Sequence, residues 1–248
     1  MIHSQKNFLL QIENIKSPII FTVPHGGMKD SYGSWLNFLL KRRTLSEIPE
    51  KNVIKGEKII LGGDGAITHV TADVLAEYPA NAIIGLLPRC FVDYNRFVPE
   101  VAYADEKAKP FYEAYHQAIS KTIEKLKKSW SQLALFDLHG FGKQPLNDWE
   151  FDIILGTNGE SSPNGFDKFF YNSLKSKYKI FCAGQAGMPL NESPLYCGDT
   201  TNLFYYKKYQ LDGVLVEIAP KFRKEKSLGR ELSHNLALTF SELAKKIN

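Results

Sequence analysis

Short strand-like runs alternate with helical patterns along almost the whole chain, and this alternation restricts the fold more than any other feature. The runs are PIIFTV (18–23), EKIIL (57–61), NAIIGLL (81–87), LALFDL (133–138), FDIILG (151–156), YKIFCAG (178–184) and DGVLVEI (212–218). Each is β-branched or apolar and ends at polar residues or at Gly/Pro punctuation. Several are apolar on both faces, the pattern of strands covered by helices on each side. Helical periodicity marks 33–43, 66–78, 109–130, 166–177 and 227–247, with Pro110 in the first turn of the third. The expected fold is a three-layer α/β/α domain spanning 1–248, built on a central mixed, mainly parallel sheet. Residues 185–207 read as one long, turn-rich loop, a kind of segment that is often functional in compact domains.

Charge and cysteine content narrow the partners. The net charge is only +4, from 31 basic and 27 acidic residues. Lys121, Lys125, Lys127 and Lys128 lie on an expected solvated helix face, and no basic stripe interleaved with aromatics points to nucleic acid. Cys90, Cys182 and Cys197 form no CxxC pair, which suits a reducing compartment. The first residues, MIHSQKNFLLQIEN, contain no apolar signal core, and no run approaches the ~20 residues of a membrane span. The expectation is a soluble cytoplasmic protein with neither a membrane nor a nucleic-acid partner.

In sheets of this type ligands collect at the carboxyl ends of strands, and unusual residues stand there. PIIFTV runs into Pro24-His25-Gly26-Gly27, and LALF into Asp137-Leu138-His139-Gly140. The two histidines read either as hydrogen-bonded caps of strand ends or as metal ligands. A catalytic zinc is commonly held by three protein ligands, His, Asp and Glu among them. Asp137 suits an outer-shell carboxylate rather than a ligand. The HxxE spacing is absent because Met28 follows His25 by three. Asp64, in LGGDGAIT, is the best third ligand by position, with Asp30 behind it; a helix N-cap explains Asp64 equally. His69 reads as a surface or packing residue.

Glu217 ends the apolar run GVLVEIAP, where an unpaired carboxylate is costly to bury. It reads as a general base or acid acting on water, or as a partner for an arginine. In RCFVDYNR (89–96), Asn95 and Arg96 suit capture of a substrate carboxylate, and Arg89 suits stabilisation of a developing oxyanion. Asp93 suits the holding of one guanidinium. A purely internal Arg–Asp bridge is the alternative.

Taken together and in order, PHGG (24–27), RCFVDYNR (89–96), DLHGF (137–141) and LVEIAP (215–220) resemble the N-formylglutamate amidohydrolase family. That family is similar in fold and site to zinc carboxypeptidases and aspartoacylase-type deacylases. The resemblance runs from about residue 18 to 222. It implies zinc histidines at His25 and His139 and a carbonyl-polarising Arg89. It also implies an Asn95–Arg96 pair for carboxylate and a catalytic Glu217. Gly198-Asp199-Thr200-Thr201 resembles a segment that closes over substrate, which makes Thr200 and Thr201 candidate substrate contacts. Tyr94 departs from the leucine common in the relatives, a change expected to affect packing.

The expected activity is zinc-dependent hydrolysis of an N-formyl or N-acyl acidic amino acid, with His25, His139 and Asp64 as metal ligands and a small carboxylated amide as substrate. A carboxypeptidase-like peptidase acting on peptide or γ-glutamyl termini is the alternative enzyme. A non-catalytic carboxylate-binding relative is the alternative outside enzymes.

Overall fold

The computed structural model describes residues 2–5, 8–26, 67–87, 89, 92–97, 102–103, 106–142, 150–183, 185 and 201–247. The expected strand 57–61, the expected helix 33–43, and the residues Asp30, Asp64 and Thr200 lie outside the described residues, as do Cys90 and Cys197.

Eight strands form one sheet: β1 (Ile2–Gln5), β2 (Leu9–Ile12), β3 (Ile19–Val23), β4 (Asn81–Gly85), β5 (Ala134–His139), β6 (Ile153–Gly156), β7 (Ile180–Cys182) and β8 (Asp212–Ile218). Their order across the sheet is β1-β2-β4-β3-β5-β8-β6-β7. The centre, β4-β3-β5-β8, is parallel throughout. Antiparallel pairing enters at β1-β2, at β2-β4 and between β6 and β8. The helices are α1 (Ile67–Glu77), α2 (Lys109–Leu126), α3 (Phe166–Leu174), α4 (Thr201–Tyr209), α5 (Pro220–Lys224) and α6 (Lys226–Ile247).

Strand periodicity sorts the apolar residues onto two faces. Ile19, Phe21 and Val23 of β3, Phe136 and Leu138 of β5, and Val214, Val216 and Ile218 of β8 pack against α1, α3 and α6. Phe240 of α6 is central there, its ring 4.6 Å from that of Phe21, 4.9 Å from Phe136 and 4.7 Å from Phe170. Ile20, Ile83 and Leu135 point to the other face. They meet Tyr115, Ile119 and Ile123 of α2, one helical stripe at four-residue spacing, and Tyr205 of α4. The result is the expected three-layer α/β/α arrangement on a mixed sheet.

Two elements were not anticipated. The N-terminal segment contributes β1 and β2, which extend the sheet at one edge; LLQI is too short a run to stand out by pattern. Residues 201–207, read as the end of the loop 185–207, lie in α4. The helix hides because its consecutive residues Thr201, Asn202 and Leu203 are all buried, so no amphipathic stripe marks it. Its first turn is pinned instead by the Asn202 amide, which donates to Ser161 Oγ at 3.0 Å. Among the described residues no helix is long and apolar enough to cross a membrane.

Candidate active site

The same alternation that builds the core delivers the polar groups. On β5, Phe136 and Leu138 face α6, so Asp137 and His139 turn to the opposite face, toward α2 and α4. On β8, Val216 and Ile218 face the α6 side, so Glu217 turns to the same face as Asp137 and His139. The β5–β8 register places His139 directly beside Glu217, and the β3–β5 register places Thr22 beside Asp137. His25 stands two residues beyond the end of β3. Its ring lies edge-on to that of His139, with centroids 5.1 Å apart.

Each histidine is backed by a carboxylate. His25 Nε2 lies 2.9 Å from Asp93 Oδ1, and His139 Nε2 lies 3.0 Å from Asp137 Oδ2. Both histidines and both aspartates are buried. Thr22 Oγ1 donates to the second oxygen of Asp137 at 2.6 Å. A carboxylate is an acceptor only, so in each contact the Nε2–H of the ring donates.

Asp93 does more than hold a guanidinium. Its Oδ2 accepts from Arg89 Nε at 2.9 Å and lies 3.8 Å from Arg96 Nε, while Oδ1 also accepts the Asn95 backbone N–H at 3.1 Å. Burial disfavours its charged form. The charge and hydrogen bond of His25, with the guanidinium groups of Arg89 and Arg96, outweigh burial and hold the carboxyl well below the usual carboxylate range. Arg89 is half-buried, whereas Arg96 is exposed over 45% of its side chain.

Asn95 and Thr201 are joined. Asn95 Oδ1 accepts from Thr201 N at 3.1 Å and from Thr201 Oγ1 at 2.7 Å, and its Nδ2 lies 3.3 Å from His139 Nε2. Thr201 has no exposed surface. Both of its donors are spent inside the protein, on Asn95. Asn95 is itself buried, so α4 is fastened to the segment that also carries Asp93, the partner of His25. Tyr94, between Asp93 and Asn95, stacks on Tyr115 at 4.4 Å between centroids and anchors the segment to α2, the packing role expected of it.

The glycine after His25 is a close-packing residue. A Cβ at Gly26 would meet Ile84 Cγ2 at 2.5 Å and Thr68 Oγ1 at 3.0 Å, so the turn carrying His25 seats tightly against β4 and α1. His69 is exposed on α1, in line with its reading as a surface residue.

Sequence reasoning missed His116. It lies on α2 with Nδ1 2.9 Å from Tyr205 Oη, and burial pushes its pKa down to about 4. Its neighbour Tyr115 belongs to the buried stripe of α2, a pattern that places His116 at the edge of the apolar face.

Two buried imidazoles backed by carboxylates are a donor set suited to zinc. Among the described residues no group of three or more His, Cys, Asp or Glu side chains is arranged to hold a metal ion. The expected third ligand, Asp64, lies outside those residues.

The sheet order, the covering helices and the polar cluster at the strand ends define an α/β protein with a candidate site at the C-terminal edge of β3, β5 and β8. Among solved structures, N-formylglutamate amidohydrolase from Ralstonia eutropha JMP134 has this fold. It matches with a TM-score of 0.66 and 14% identity over 97% of this chain and 98% of its own. A gene product of Agrobacterium tumefaciens matches with a TM-score of 0.65 and 13% identity over 98% of this chain and 96% of its own. The likeness is one of fold across nearly the full length of both. No protein-family model matches the chain, and comparison with curated proteins finds no match.

Proposed function

We propose that this protein is a metal-dependent amidohydrolase acting on N-formyl or N-acyl acidic amino acids. One observation carries the reading: His25 and His139, each backed by an aspartate, sit edge to edge with Glu217 in register beside His139. His25 and His139, oriented by the Nε2 hydrogen bonds to Asp93 and Asp137, would be two of the metal ligands, with Asp64 offered as the third. Zinc bound there would supply a Lewis acid and lower the pKa of water toward neutrality.

The chain's own groups account for the remaining steps. Glu217 takes a proton from the attacking water and returns it to the departing nitrogen. The water oxygen joins the acyl carbon as the C–N bond breaks, releasing a carboxylic acid and a free amine. Arg89, held through Nε by Asp93, stabilises the negative charge that develops on the acyl oxygen. Arg96, exposed and only loosely tethered to Asp93, pairs with the substrate carboxylate, and Asn95 fixes the segment from which it projects.

Elemental analysis of the purified protein, alongside His25→Ala and His139→Ala, tests the reading. Near-stoichiometric zinc that both variants lose, together with hydrolysis of N-formylglutamate by the wild type, is the expected result. A wild type that takes up no zinc on reconstitution overturns it.

A further inference from the structure

We propose that Arg223 is a positioning residue of the site, bridging the ends of the two strands that carry His139 and Glu217. The inference rests on the reading of those two residues as the acting groups. Beyond Glu217 the chain leaves the sheet at Ile218 and enters α5 through Pro220, which places Arg223 one short turn later. From there the guanidinium reaches back over both strand ends. Its Nε donates to Ile218 O at 3.0 Å, and Nη2 donates to Phe141 O. These carbonyls stand one residue past Glu217 and two past His139, where the β5–β8 ladder stops and a carbonyl must find another donor.

Gly140 completes the device. A Cβ there would lie 2.4 Å from Arg223 Nε and 2.5 Å from its Cζ, so the guanidinium crosses directly over the backbone between His139 and Phe141. Only a residue without a side chain admits that crossing. A planar fork donates from two nitrogens at fixed separation, which an ammonium cannot reproduce. Arg223 therefore fixes the two chains relative to each other just beyond His139 and Glu217, the last pair of the ladder. It acts through these residues and does not itself touch substrate.

The test compares Arg223→Met, Arg223→Lys and Gly140→Ala with the wild type in the full chain. Three properties are followed: the imidazole NMR signals of His139 and His25, the melting temperature, and kcat and KM on N-formylglutamate. Arg223→Met and Gly140→Ala are expected to displace the His139 signals more than those of His25, its edge-on neighbour. They should lower kcat by ~10-fold or more with KM changed less than ~2-fold, as a small misplacement of reacting groups does. Arg223→Lys, which can satisfy one carbonyl, should fall between. Unmoved His139 signals and unchanged kcat, with only a lowered melting temperature, would reduce Arg223 to a structural tie and overturn the proposal. If Arg223→Met does not fold, the other two variants carry the same comparison. If the wild type hydrolyses no N-formylglutamate, the proposed function fails and the His139 signals alone decide the role of Arg223.

Discussion

Asn95 Oδ1 accepts two hydrogen bonds from Thr201, one from its backbone N–H and one from its hydroxyl. The start of α4 is thereby fastened to a residue whose other amide atom faces His139. Thr201→Val deletes the hydroxyl donor and keeps both the backbone donor and the side-chain volume. The loss should cost about 1–2 kcal/mol in urea unfolding, the range for one buried hydrogen bond. An unchanged midpoint would show that the backbone bond alone holds α4.

Asp137 orients His139 and is itself held by Thr22. Asp137→Asn retains the shape and removes the charge that keeps the proton on Nε2. Zinc affinity should fall by roughly 10–100-fold, the usual effect of losing a carboxylate behind a ligating histidine. Competition with a chromogenic chelator measures this, and wild-type affinity in the variant would dismiss Asp137 from the role.

Arg96→Ala should raise KM for a carboxylated amide and leave zinc content intact, because Arg96 is exposed and meets Asp93 only at 3.8 Å. An equal loss on an amide lacking the carboxylate would remove Arg96 from substrate binding.

His116 makes the fold acid-sensitive. Its pKa is about 4 when folded against an ordinary value of 6.5. Between these values the unfolded chain binds the proton and the folded chain does not. The stability of the neutral, half-buried ring is thus intact above pH 6.5 and is lost as pH falls toward 4, where the loss levels off. The full effect is on the order of 3 kcal/mol. His116→Gln should flatten that limb of a stability–pH curve; a curve superimposable on the wild type would refute the assignment.

Phe240 joins β3, β5 and α3 through three aromatic contacts. Phe240→Ala should cost about 3–5 kcal/mol, the range for truncating a fully buried aromatic. Denaturant unfolding checks it, and a loss under ~1 kcal/mol would mean that the layer repacks around the void.

What the sequence determined by itself was local. Short apolar and β-branched runs such as LALFDL and GVLVEI, punctuated by polar residues, Gly and Pro, specified strands, and the polar residues at their ends marked Asp137, His139 and Glu217 as candidates. Strand β8 was bounded correctly at 212–218, and the helices later numbered α1, α2, α3 and α6 lay where their stripes marked them. The strand ends that hold the histidines were legible because polar residues and glycine interrupt apolar runs there.

Tertiary structure decided whatever depends on distant partners. Pairing of β5 with β8, 78 residues apart at Ala134↔Asp212, sets His139 beside Glu217, and no local pattern encodes that register. Asp93 belongs to His25 as well as to Arg89 because a turn after β3 and a segment after β4 meet at one edge of the sheet. Helix α4 and the β1–β2 edge were illegible for a related reason: short segments form where the sheet and α2 supply surfaces to bury them, not where their own periodicity demands it. The reach of Arg223 across two strand ends is likewise a product of assembly, since its partners come from the ends of β5 and β8.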